Sequence, residues 1–167
     1  MGVFYEFDDV DSFTTGTVGE PGNRTFYMQV RADGQRVSVK CEKQQTAAIV
    51  DYLRKVLSDL PPPEDRPMPG ALELAPPIDA SFVLGPIGLG YDRSSDKVLI
   101  QLEEVGEVNE EGEFLDDDRG HVRLFVSRGQ AAAFCDHADR VVESGRPDCQ
   151  WCSHPIDPDG HACPRMN

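Results

Sequence analysis

Positive charge is scarce in this chain: 16 Lys and Arg stand against 30 Asp and Glu, a formal net charge of −14 over 167 residues. A phosphate backbone is gripped by clustered Lys and Arg, so this deficit argues against nucleic acid as a partner. Apolar runs of membrane-spanning length are missing as well, which argues against insertion in a bilayer. The first nine residues, Met1 to Asp9, contain no basic n-region and no apolar h-region, so no secretory leader is expected. Met1-Gly2 lacks Ser or Thr at the sixth position, which weakens a myristoylation reading. Catalytic signatures are absent too: there is no Gly-x-Ser-x-Gly elbow, His-Glu-x-x-His pair, phosphate loop or dinucleotide fingerprint. His121 and His137 have no motif context, and Cys41 and Cys135 fall at positions typical of small apolar core residues. The five cysteines fit a reducing compartment, and the expectation is a soluble cytoplasmic protein.

What is present is concentrated in the tail. Cys149-Gln-Trp-Cys152 is followed by eight residues and then His161-Ala-Cys163. Three thiolates and one imidazole at this spacing form the closed tetrahedral set of a structural Zn2+. Ser153 to Gly160 holds two prolines and an Asp-Gly pair, which favour the reversal that brings the second ligand pair back to the first. His154 competes with His161 for the fourth position, but it lies only two residues past Cys152 and would strain the turn. Four strong ligands leave no open position, so catalysis at the metal is not expected.

The remainder reads as two similar halves. Ser12 to Gly19 resembles Ser81 to Gly88, Phe26 to Gln29 resembles Val98 to Gln101, and Val37 to Asp51 resembles Val122 to Asp136. Runs from Thr25 to Val30 and from Arg36 to Cys41 flank Asp33-Gly34, a hairpin signal. Ile49, Leu53, Val56, Leu57 and Leu60 form a helical stripe, predicting a helix from Lys43 to Leu60 that stops at Pro61-Pro62-Pro63. Ser127 and Gln130 have the spacing of a capping box and open a second helix, carrying Phe134, Ala138, Val141 and Val142 and ending near Ser144-Gly145. The expected fold is α+β: an antiparallel sheet with two helices, built from an internal βββα duplication, plus a small C-terminal zinc knuckle. Residues 1–145 form the duplicated domain, with halves 1–60 and 78–145 and a proline-rich linker 61–77, and 146–167 form the knuckle. Glu103 to Gly120 is an acidic insertion without the ligand alternation of a calcium loop, and reads as a solvated segment.

One internal segment stands out. Gly19-Glu20-Pro21-Gly22-Asn23-Arg24 combines two glycines with a guanidinium, and Glu42 and Lys43 fall where a strand meets a helix N-terminus. Gly19, Glu20, Gly22, Arg24, Glu42 and Lys43 are therefore candidate ligand-binding residues. The alternative is a strand connection in which Arg24 fastens the loop to Glu42.

Gly16 to Phe26, the Glu42-Lys43-x-Gln45 helix entrance and the closing Pro155 to Arg165 segment resemble a bacterial family of unknown function, over nearly the whole chain. The resemblance is carried by a Val-Gly-x-Pro-Gly-x-Arg segment and the CxxC-x8-HxC tail, and implies a zinc-binding C-terminus. That family's first knuckle reads Cys-Pro-x-Cys-Gly, whereas this chain has Cys149-Gln-Trp-Cys152-Ser153; no ligand is lost, and Trp151 is placed at the knuckle tip. The functional expectation is a non-enzymatic, zinc-containing adaptor or regulatory protein with a protein partner. The competing class is an enzyme or small-molecule sensor using the Gly19 to Arg24 loop.

Overall fold

The computed structural model describes residues 3–20, 23–63, 66–67, 69–115 and 118–143, leaving aside the side chains of Glu20 and Pro69. In chain order the elements are β1 (Phe4–Phe7), β2 (Ser12–Glu20), β3 (Asn23–Ala32), β4 (Gln35–Cys41), α1 (Lys43–Ser58), a 3-10 turn at Pro69–Leu72, β5 (Ala80–Asp92), β6 (Lys97–Glu104), β7 (His121–Ser127) and α2 (Arg128–Glu143). The strands form one seven-stranded sheet in the order β1-β7-β6-β5-β4-β3-β2.

The α+β class holds, but the sheet is mixed rather than antiparallel. Its two β-β-β meanders are internally antiparallel, whereas β4 pairs with β5, and β1 with β7, in parallel. The reason is the connection. After β4 the chain crosses over through α1 and residues 59–79, and such a crossover returns a strand in the same direction.

The sheet must also curl. Laid flat, β1 and β2 would lie about 29 Å apart at the usual strand spacing. Only Asp8 to Asp11 connect them, and the five steps from Phe7 to Ser12 reach roughly 18 Å when fully extended. Packing agrees with closure: α2 touches β2 at one end of the strand order and β6 and β7 at the other.

Register gives the relation between the halves. Gln29 lies opposite Thr14 and Ser38, while Gln101 lies opposite Gly88 and Arg123; Glu6 faces Arg123 as Ala80 faces Ser38. Glu6 thus corresponds to Ala80, Thr14 to Gly88 and Gly16 to Gly90, at one constant sequence separation. β5 is the uninterrupted counterpart of β1 and β2 together. The expected match of Ser12–Gly19 with Ser81–Gly88 is therefore displaced by several residues, whereas those of β3 with β6 and of β4-α1 with β7-α2 hold in register.

Reciprocal hydrogen bonds obey the same correspondence. Gln45 donates from Nε2 to the Leu84 carbonyl at 3.1 Å, and its counterpart Gln130 donates to the Val10 carbonyl at 2.7 Å. Tyr52 donates to the Leu89 carbonyl at 3.2 Å, and its counterpart His137 places Nε2 3.0 Å from the Thr15 carbonyl. Residues that pair with their own counterparts mark a pseudo-twofold axis between the helices: Cys135 Sγ with the Val50 carbonyl, and Arg54 with Asp139.

Both helices begin the same way. Glu42 N–H donates to Gln45 Oε1 at 2.8 Å, and Ser127 N–H donates to Gln130 Oε1 at 2.9 Å while Ser127 Oγ accepts from Gln130 N–H at 3.0 Å. The second is the capping box expected from sequence. Their buried faces also correspond, with Ile49 and Leu53 matched by Phe134 and Ala138, all fully buried. The Phe13 and Phe134 rings stack at 4.5 Å, closing the core against Met28, Val30, Val98, Ile100, Leu102, Val122 and Leu124. α2 also buries Ala131, Ala132 and Ala133. These small side chains let it sit between α1, β2 and the Pro69–Leu72 turn. Helix α1 ends at Ser58, short of the expected Leu60, where Asp59 N–H turns back to Val56 O.

Candidate functional site

The residues singled out by the sequence have definite places. Arg24 donates from Nη1 to the Val141 carbonyl at 3.3 Å and lies over the Phe26 ring at 5.3 Å. Val141 is in the last turn of α2, where free carbonyls carry partial negative charge, so the cation helps fasten β3 to that helix end. Gly19 takes φ +110° at the head of the β2-β3 hairpin, where a Cβ would meet the Asn23 carbonyl oxygen at 2.5 Å; this position needs glycine. Glu42 caps α1 and Lys43 is its first residue, both exposed. Glu20 ends β2, while Gly22 lies outside the described residues, as do the metal candidates Cys149, Cys152, His161 and Cys163. Among the described residues there is no group of three or more His, Cys, Asp or Glu able to hold a metal.

Cys41 and Cys135 are buried free thiols, and burial pushes both up to about 11. Protonated at neutral pH, they are neither nucleophiles nor ligands. Burial likewise lowers His137 below its ordinary value, against the opposing pull of its bond to the Thr15 carbonyl. It is a packing residue tying α2 to β2.

What distinguishes the halves is the outer face of the sheet. On the first half, residues 71–75 run across as a strap. Ser12 Oγ and Arg31 Nη2 donate to the Ala71 carbonyl at 2.9 and 2.8 Å, and Thr14 Oγ1 donates to the Leu72 carbonyl. Gln29 reads the peptide from both sides, accepting from Ala75 N–H at 2.8 Å and donating to the Ala75 carbonyl at 3.0 Å; it also donates to Ser38 Oγ at 3.1 Å. Leu74 seats on Gly16, where a Cβ would come within 2.6 Å of Leu74 Cγ. The strap leaves Gln29 only 1% exposed and Thr14 fully buried.

The second half presents the corresponding rows with no strap across them among the described residues. Asp92, Gly90 and Gly88 on β5 face Lys97, Leu99 and Gln101 on β6; Phe125, Arg123 and His121 follow on β7, with Glu6 and Phe4 on β1. Gly88 and Glu6 are exposed, and Gln101 and Arg123 are half-buried. A Cβ at Gly90 would meet nothing within 4 Å. Gln101 has one long contact, Nε2 to Glu103 Oε1 at 3.5 Å, and Arg123 Nε is buried with no hydrogen-bond partner. A cleft of about 180 Å³ lined by Asp8, Asp92, Ser95, Lys97 and Phe125 continues the face at one end.

At the other end lies the acidic insertion. Arg119 stacks its guanidinium on Phe114 at 3.4 Å, donates to the Glu104 carbonyl at 3.2 Å and lies 3.8 Å from Glu103, which also approaches His121 at 3.4 Å. Val108 and Phe114 form a β-bridge, so the segment folds back as a short arm rather than running free. Glycine and glutamine recur at Gly16/Gly90 and Gln29/Gln101. The glutamine pair is contained in the match of Phe26–Gln29 with Val98–Gln101, whereas the glycine pair was hidden by the displaced match of the first strands.

The sequence model of a family described as "Protein of unknown function (DUF3090)" matches residues 5–163. No curated protein and no solved structure matches the chain.

Proposed function

The chain belongs to the DUF3090 family, and we propose that it is a non-enzymatic, zinc-binding cytoplasmic adaptor or regulatory protein that works by holding another protein. In this reading its two halves descend from one duplicated βββα unit, and Cys149, Cys152, His161 and Cys163 hold a structural Zn2+. The donor chemistry supports the metal: three thiolates and an imidazole suit zinc and close its shell.

The observation that carries the partner reading is an exposed apolar rim on the second half. Phe4, Val83, Val105, Val108 and Leu115 are 46–66% exposed. Backbone bonds gather several of them: Val105 N–H donates to Val83 O, Glu104 N–H to Gly120 O, and His121 N–H to Val3 O, all at 2.8 Å. Glu104, Glu107, Glu110, Glu111 and Glu113 flank Val105, Val108 and Leu115 along the chain. Exposed apolar groups beside charged ones are the anatomy of a protein contact. No described helix is long and apolar enough to cross a membrane.

The test is purification of the full chain under reducing conditions, with elemental analysis and affinity capture from its native host. One zinc per chain and one stoichiometric protein partner are expected. A Cys149→Ser, Cys152→Ser variant should lose the metal while circular dichroism of the remaining domain is retained. A zinc-free protein with reduced cysteines refutes the metal site, and stabilisation by a metabolite with no protein captured refutes the adaptor.

A further inference from the structure

We propose that the open outer face of the second half, centred on Gly88, Gly90, Gln101 and Arg123, docks an extended segment of the partner protein. The segment seats as residues 71–75 seat on the first half. The proposal rests on the adaptor reading and adds to it a groove, a binding mode and a ligand chemistry.

The molecule itself shows how such a surface is used. Gly16 opens a depression for the Leu74 side chain, and the Gln29 amide pairs with both polar groups of the Ala75 backbone. The pseudo-twofold puts Gly90 where Gly16 stands and Gln101 where Gln29 stands. Both features are retained in the second half although no described segment of the chain uses them. Glycine in a strand interior weakens the strand and commonly marks a close approach by another backbone or ligand. At Gly90 no described residue supplies that approach, because a Cβ there would touch none of them within 4 Å.

A second observation points the same way. Arg123 occupies the place of Ser38, the residue that takes the spare Gln29 proton; its guanidinium lies 5.6 Å from the Phe125 ring, and its Nε, like those of Arg31 and Arg119, is buried without a hydrogen-bond partner among the described residues. A buried donor left unpaired is costly. A carbonyl of an extended peptide lying across β6 and β7 would accept from it while the neighbouring amide pairs with Gln101.

The occupant is an extended peptide with an aliphatic side chain over Gly90 and a Lys or Arg beside it. The aliphatic group follows from Leu74 on Gly16. The basic group follows from Glu6, Asp8 and Asp92, which line the β1 and β5 sides of the face. These three carboxylates outnumber the two cations of the face, Arg123 and Lys97, and Lys97 is already held by the Asp8 carbonyl at 2.8 Å and by Asp9 at 3.5 Å.

The test is selection of a phage-displayed random octapeptide library on the zinc-loaded full chain. Enriched peptides are then titrated against wild type, Gly90→Val and Gln101→Leu. Gly90→Val fills the depression without a clash, so its melting temperature should stay within a degree or two of wild type. Enriched families should carry an aliphatic residue flanked by Lys or Arg, and should bind each variant at least tenfold more weakly. No enriched family, or families that bind the variants as well as wild type, overturns the proposal. If affinity capture with Gly90→Val still recovers a stoichiometric partner, the groove is refuted and the adaptor reading stands. If wild type captures no partner while the selected peptides bind as expected, the adaptor reading falls instead.

Discussion

Replacing Gln29 by Leu tests whether the strap is held by the contacts described or merely lies over the sheet. The substitution shortens the side chain by one bond and deletes three hydrogen bonds, two to the Ala75 backbone and one to Ser38 Oγ. An unsatisfied buried group costs about 1–3 kcal/mol. Three such groups would set an upper bound near 9, but Ala75 is half-buried and can regain water on one side, and the Ser38 hydroxyl can rotate toward another acceptor. The expected loss is therefore about 2–4 kcal/mol. Gln101→Leu, at the corresponding position, removes one long contact and should stay within about 0.5 kcal/mol. Urea unfolding measures the difference directly. With a slope of about 2 kcal/mol/M, Gln29→Leu should lower the midpoint by roughly 1–2 M. Equal shifts for the two variants would refute the claim that one outer face is sealed and the other open.

Two further outcomes follow from the buried titratable groups. Cys41 and Cys135, held near 11 by burial, should not react with a thiol reagent at pH 8 in the native protein. Zinc-free chain should thus show three fast thiols, zinc-loaded chain none, and denatured chain all five; a fast-reacting thiol retained in a Cys149, Cys152, Cys163 triple Ser variant would contradict the assignment. His137 has a lowered folded pKa, so the unfolded chain takes up the proton first as pH falls, and the protein loses stability below the unfolded value of about 6.5. His137→Gln keeps a donor for the Thr15 carbonyl and should flatten that decline between about pH 7 and 5; parallel wild-type and variant curves would show that the group is not perturbed.

The buried side of the fold was legible because burial imposes period. Val37, Val39 and Cys41, then Ile49 and Leu53, recur as Val122, Leu124 and Val126, then Phe134 and Ala138, and the helix entrances repeat a glutamine three residues after the cap. Register was not legible. Ser12-Phe-Thr-Thr-Gly16 and Ser81-Phe-Val-Leu-Gly85 match as strings, yet pairing sets Gly16 against Gly90, because β5 starts earlier to reach β4 in parallel. Nothing in a strand's own sequence states which partner it meets at each position. β1 was missed for a related reason. Four residues, with Phe4 exposed and only Phe7 buried, give too little alternation to mark an edge strand.

The linker was legible as irregular chain but not as a strap. Proline and acid made residues 61–77 read as irregular, and the order in residues 71–75 comes from side chains elsewhere, namely Ser12, Thr14, Gln29 and Arg31 reaching out from the sheet. Gly19 to Arg24 is the opposite case. That segment is conspicuous in composition, but its glycine is explained by φ +110° and its arginine holds a helix end. Gly90 and Gln101 are inconspicuous in composition and become informative only beside Gly16 and Gln29. In a pseudo-symmetric fold, features needed for the core should appear in both halves with the same contacts. A feature present in both halves but engaged in only one needs another explanation. Ile49/Phe134 and Gln45/Gln130 belong to the first kind, and Gly16/Gly90 and Gln29/Gln101 to the second. That difference is the ground for proposing the outer face of β5, β6 and β7 as the docking surface.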